Sequence, residues 1–165
     1  MEEEAPQLSV TRVFDAPRDL VYRAFTDPDQ LGSWWGPIGH SLPRDEIEFD
    51  VRPGGYQRWT EVYAGEPGGR VYGRIDLSDV VDGQLLAGVL SVTGRLPGGF
   101  EPFETRLRIE FHDEPGGRTR LEIRQWLPPG LAAPSDAGWS EAFSKLDRVL
   151  AAARAAATDH RPTKD

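Results

Sequence analysis

The sequence predicts an α+β domain: seven antiparallel strands in one curved sheet, wrapped around a long C-terminal helix, with two short helices after the first strand. Three observations carry that expectation. Alternation of apolar and charged residues with period two fills most of the chain, Pro-Gly-Gly breaks recur between the alternating segments, and a 3.6-residue period replaces the alternation in only two places.

The first strand is residues 8–14. Helical spacing takes over in residues 17–26, where Leu20, Val21, Ala24 and Phe25 share one stripe. A second, short helix begins at Asp27, which can cap it; Pro28 suits the first helical position and Gln30 can reach back as in a capping box. Residues 46–51 then set Ile47, Phe49 and Val51 against Glu46, Glu48 and Asp50. Residues 57–63, 71–80 and 85–93 supply three further strands. Residues 104–111 place Leu107, Ile109 and Phe111 opposite Arg106, Arg108 and Glu110, and residues 118–126 place Leu121 and Ile123 opposite Arg120, Glu122 and Arg124. Such alternation means a sheet with one buried face.

Pro-Gly-Gly occurs at residues 53–55, 67–69, 97–99 and 115–117, and Asp82-Gly83 adds a fifth break. Proline presets one turn dihedral and glycine tolerates positive φ, so each break reads as a strand reversal. The last helix starts near Ser135 and runs to about Ala156, with Trp139, Phe143, Leu146 and Leu150 as its apolar stripe. At ~1.5 Å per residue it reaches about 30 Å, enough to cross the concave side of the sheet. Residues 8–157 thus form one domain, and residues 1–7 and 158–165 are expected to be disordered tails.

Composition removes several function classes. The 165 residues suffice for one core, and the absence of cysteine excludes disulfides, thiolate metal sites and a cysteine nucleophile. His40, His112 and His160 are far apart and in unlike contexts, so a two-histidine metal motif is absent; no metal and no cofactor is expected. A net charge of −8 with both signs interspersed argues against nucleic acid and against an anionic membrane surface as partners. The acidic start without a following apolar run, and the lack of any stretch of ~20 apolar residues, make a cytoplasmic location the expectation.

Residues 10–17 (VTRVFDAP) followed by residues 21–28 (VYRAFTDP) resemble the opening of domains homologous to the activator of the ninety-kilodalton heat-shock protein ATPase, within the START-like (SRPBCC) superfamily. Leu31, Trp34-Trp35-Gly36-Pro37, Gly39, Arg52-Pro53-Gly54-Gly55 and Gly138-Trp139 extend the similarity over roughly residues 8 to 152. The resemblance implies the helix-grip fold, as in birch-pollen-allergen-like proteins, with an internal cavity. It does not fix one function, because the superfamily includes lipid carriers, polyketide cyclases and aromatases, and hormone receptors. The founding co-chaperone engages its chaperone through a separate N-terminal domain that has no counterpart in these residues, so a chaperone partner is admitted by the resemblance but unsupported by it.

A helix laid over a concave sheet diverges from it at one end, and the gap is either filled or left as a pocket. Trp139 and Phe143 are its expected wall on the helix. Trp34 and Trp35 are candidates for a lid or floor, or for the core contact of the short helix. Tyr56, Arg58, Trp59 and Tyr72 lie on the two central strands, where parity leaves two faces open: Tyr56, Arg58, Thr60 and Val62 share one, Gln57, Trp59, Glu61 and Tyr63 the other. An inward Arg58 would require an acid or an anionic ligand, whereas an outward one belongs to a solvated face. Gln125 has the inward parity of Leu121 and Ile123 and could orient a ligand's polar group. Phe103 could rim the mouth. Glu61, Asp76 and Asp79 are strand acids without a readable partner, His40 lies on a loop, and no catalytic constellation is legible.

Three functions compete. The first is a cytoplasmic binding module for a small hydrophobic or aromatic ligand. The second is a polyketide cyclase or aromatase, which demands that Arg58, Tyr72 or Gln125 converge in one pocket. The third is a co-chaperone-type interaction domain, which predicts a solid interior and an exposed apolar patch above ~400 Å².

Overall fold

Antiparallel pairing organises the chain from end to end. The computed structural model describes residues 5–36, 39–64 and 68–159. In order the elements are β1 (Leu8–Phe14), α1 (Arg18–Thr26), α2 (Pro28–Leu31), β2 (His40–Ser41), a single 3-10 turn (Arg44–Glu46), β3 (Glu48–Asp50), β4 (Tyr56–Tyr63), β5 (Gly69–Val81), β6 (Leu85–Arg95), β7 (Phe103–Glu114), β8 (Arg118–Trp126) and α3 (Ala132–Asp159). The sheet runs β1-β8-β7-β6-β5-β4-β2, with β3 also on β4. Of the expected positions, residues 1–4, Pro37, Ile38, Pro67 and residues 160–165 lie outside the described residues.

The described strands number eight where the alternation predicts seven. The addition is β2, whose two residues pair with Tyr63 and Val62 at one end of β4 while β3 pairs with residues 56–58 at the other. Two residues are too few to show a period. The strand expected over residues 46–51 shortens to three because Arg44–Glu46 coils first, Arg44 donating to the Ile47 carbonyl at 3.1 Å. At the β7–β8 reversal Gly116 and Gly117 hold φ values of 84° and 71°, a left-handed pair in which a Cβ would be strained. Across β5 and β6 a register shift between Leu77 and Asp79 marks a bulge, which bends the sheet.

The β1–α1–α2 segment closes one end of the bowl. Tyr22 and Phe25 of α1 meet Phe111 edge-on at 5.2 and 5.3 Å. Asp27 caps α2 by accepting from the Asp29 amide at 2.9 Å, and Gln30 donates to its carboxylate at 3.1 Å rather than to the main chain. Two buried sheet side chains anchor the segment's carbonyls. Gln57 donates to Phe25 at 2.8 Å and Thr119 to Ala16 at 2.7 Å, each worth about 1 kcal/mol net.

Helix α3 is 28 residues, about 42 Å at ~1.5 Å per residue, and it is docked unevenly. Its later turns are tied to β1 and the loop after it: Phe143 meets Phe14 edge-on at 5.3 Å, Asp147 pairs with Arg12, and Arg154 pairs with Asp15 at 2.9 Å. Leu146 and Leu150 complete that buried contact. The earlier turns pass over β4 to β7 on the concave side. No described helix is long and apolar enough to cross a membrane.

Candidate functional site

The parity of β4 decides what enters the bowl. Gln57 and Trp59 are buried on the concave side, with Glu61 and Tyr63 following at the same period. Trp59 pairs in register with Gly73 of β5. A Cβ on Gly73 would stand 2.4 Å from the Trp59 ring, so glycine there lets the indole lie flat against the neighbouring strand. Trp35, just past α2, meets Trp59 at 4.9 Å and 70°, and meets Trp139 of α3 at 5.3 Å and 90°.

These three mutually inclined indoles wall a cavity of about 220 Å³ beneath the first turns of α3. Leu90, Val92 and Phe103 close it from the sheet, and Gly138 and Ala142 form its helical wall. The space exists because the helix is drawn down at its far end by Phe143, Leu146 and Leu150, while glycine at position 138 leaves open the room a side chain would take.

Two polar side chains address this apolar space most directly. Gln125 is buried, and the Trp139 indole N–H donates to its Oε1 at 2.7 Å. An indole nitrogen can only donate, which fixes the amide with oxygen toward Trp139. Its NH₂ group has no partner among the described residues and belongs to the cavity lining. The second is Glu61, half-buried, whose carboxylate lies against Gly36: a Cβ on that glycine would stand 2.7 Å from Oε1.

Burial pushes the Glu61 carboxyl up to about 7, against a smaller downward pull from Lys145. Lys145 does not form an ion pair with it; its ammonium donates to the main-chain carbonyls of Trp35 at 3.3 Å and Gly36 at 2.6 Å, tying α3 to the segment after α2. Burial lowers the pKa of Lys145, partly offset by Glu141 and Glu61. Nearby, the His40 ring stacks on Tyr63 at 3.6 Å between centroids, and burial followed by Lys145 keeps His40 below its ordinary pKa. Its Nδ1 is buried with no partner among the described residues. The arrangement can therefore hold an apolar body, and it offers a carboxyl that changes charge near neutrality plus one amide donor.

Of the side chains singled out in the sequence, Trp35, Trp59, Phe103, Gln125 and Trp139 line the cavity. Five are elsewhere. Trp34 is fully buried in the core, its indole donating to the Ala24 carbonyl at 3.0 Å and its ring 4.7 Å from Phe25. Phe143 lies beneath Trp139 and is consumed by its contact with Phe14. Tyr56, Arg58 and Tyr72 have the opposite parity to Trp59 and stand on the convex face. There Arg58 pairs with Glu48 at 2.5 Å, Tyr56 bonds the same carboxylate, and Arg74 covers the Tyr56 ring at 4.4 Å. Glu61 and Gly138 were not legible as cavity residues. The available signal for Glu61 was its parity with Trp59.

On the convex face Glu110, His112 and Glu122 bring ligand-type atoms within 4.8 Å of one another. Arg108, Arg120 and Arg124 pair with these carboxylates at 3.0, 3.3 and 3.8 Å, so the negative charge that a cation would meet is already countered.

A family model described as Activator of Hsp90 ATPase homolog 1-like protein matches residues 15–151. Among solved structures, one from Chromobacterium violaceum is 25% identical, covers 87% of this chain and 96% of its own, and superposes with a TM-score of 0.64. One from Nitrosomonas europaea is 20% identical over 93% of this chain and 99% of its own, with a TM-score of 0.70. The AHSA1 protein from Silicibacter pomeroyi is 22% identical over 87% and 96%, with a TM-score of 0.65. No curated protein matches this sequence.

Proposed function

The chain belongs to the Activator of Hsp90 ATPase homolog 1-like family, and from that premise we propose that it is an intracellular binding module for a small hydrophobic or aromatic molecule. The observation that carries this reading is the cavity of about 220 Å³ between the sheet and the first turns of α3. An apolar cavity of ~150 Å³ accepts benzene, and drug-sized ligands need ~300 Å³ or more. The size in hand suits one ring with a short substituent. Trp35, Trp59 and Trp139 would supply the contact area and Gln125 a directed hydrogen bond.

The competing readings draw less support. A cyclase built on Arg58 and Tyr72 loses both residues to the convex face, where Arg58 is already paired with Glu48. A protein-docking role calls for a continuous apolar patch, whereas the exposed large hydrophobics among the described residues are Val13, Val81 and Val89, on three separate strands. Native mass spectrometry of the purified chain after incubation with a lipid and polyketide extract tests the proposal. Retention of a compound of single-ring size is the expected result; repeated recovery of the bare chain would count against it.

A further inference from the structure

Glu61 is the one charged side chain among the described residues that line the cavity, and it has no ion-pair partner there. A carboxylate so placed is costly to ionise without a counter-charge. The same lining holds three indoles, Trp35, Trp59 and Trp139, and an indole face carries the negative end of the ring quadrupole. Both features favour the same sign of guest.

We infer that the cavity selects a small organic cation, a protonated amine or quaternary ammonium carried on a single ring or short chain, with its charge between Glu61 and the Trp35, Trp59 and Trp139 rings. This rests on the binding-module reading of the same cavity and names the class of its ligand. The cavity volume of about 220 Å³ fits a ring with a two- or three-atom tail.

The surrounding charges bear on this in opposite senses. Lys145 of α3 opposes a cation, but its ammonium is turned to the Trp35 and Gly36 carbonyls and is not part of the lining. Glu141 on the same helix acts with the opposite sign, close enough to raise the pKa of Lys145. His40 of β2 is held toward its neutral form, and Tyr63 of β4, beside Glu61, has its phenol pushed further above neutrality. The net charge of −8 adds a weak long-range attraction for cations. An anionic guest would meet Glu61 with only neutral donors, such as the Gln125 amide and the Tyr63 and Ser135 hydroxyls, in the lining to receive it. The raised pKa of Glu61 agrees with a site that keeps a proton until a cation replaces it.

The test is a titration of the chain's tryptophan fluorescence with 2-phenylethylammonium, 2-phenylethanol and phenylacetate, at pH 8.5 and pH 5.5, for the wild type and for Glu61→Gln. At pH 8.5 the ammonium should bind about tenfold tighter than the alcohol, with phenylacetate weakest. That preference should shrink to about twofold or less at pH 5.5, and at both pH values in Glu61→Gln, while alcohol binding persists in the variant. An ammonium that binds no better than the alcohol at pH 8.5, or keeps its advantage without Glu61, overturns the cation assignment and leaves the apolar binding reading standing on the alcohol. Should none of the three bind, both readings fall together.

Discussion

Replacing Glu61 with glutamine should stabilise this chain above neutral pH and change little in acid. The carboxyl has an ordinary value of 4.5 and is lifted to about 7 where it lies, chiefly by burial. Because the folded chain holds this proton more tightly than the unfolded chain, its contribution to stability is fully present below pH 4.5. It is lost as pH rises through 7. At ~1.4 kcal/mol per pH unit, the full loss is roughly 3 kcal/mol. Glu61 is half-buried and water at the cavity mouth screens part of this, so a gain of about 1–3 kcal/mol for Glu61→Gln at pH 8.5 is expected. His40, whose pKa is lowered, works in the other direction as pH falls below its ordinary value, but it does so in both proteins and cancels in their difference. Urea unfolding of the pair at pH 4 and pH 8.5 reads the effect directly. A gap of this size corresponds to a midpoint shift on the order of 1 M at pH 8.5, shrinking to near zero at pH 4. A variant no more stable than wild type at pH 8.5, or a gap that ignores pH, refutes the claim that burial of Glu61 outweighs the pull of Lys145.

Other substitutions separate the cavity from the rest of the fold. Gly73→Ala places a Cβ 2.4 Å from the Trp59 ring, and should cost about 1–3 kcal/mol in urea unfolding as that indole is driven into the cavity. Gly138→Ala adds a methyl where nothing lies within 4 Å, inside α3; thermal unfolding should show a gain of about 0.5–1 kcal/mol, and ligand capacity should fall. Arg58→Ala and Tyr72→Phe, on the convex face, should leave both the urea midpoint and the ligand titrations close to those of the wild type.

Much of the architecture could be read from the residues because alternation and turn chemistry are local. Ile47, Leu107, Ile109, Phe111, Leu121 and Ile123 announce their buried face by period alone, and each of these is buried. Asp27 and Pro28 announce the start of α2. The ambiguous strand was β4, where an aromatic stands on each face: Tyr56 and Trp59 are interchangeable to a hydropathy pattern, and only the register with Gly73 settles which ring turns inward. Arg58 and Tyr72 follow from that parity. Trp34 and Trp35 are adjacent and identical in type, yet one is consumed by a bond to Ala24 and the other faces the cavity, because the turn that follows α2 sends the two side chains in different directions. Glu61 was hidden for a different reason. A single acid on an alternating strand reads as a solvated one, and its isolation depends on Lys145, which is 84 residues away and turned to main-chain carbonyls. The two-residue β2 carries no period at all.

The central claim is that open, apolar room remains beneath the first turns of α3. Crystals of the chain held under xenon pressure measure that room directly, since a dry apolar cavity takes up the gas. Xenon density bounded by Trp35, Trp59 and Trp139, in a space near 220 Å³, is the predicted result. Tryptophan side chains packed through that space, with no xenon among them, would contradict it.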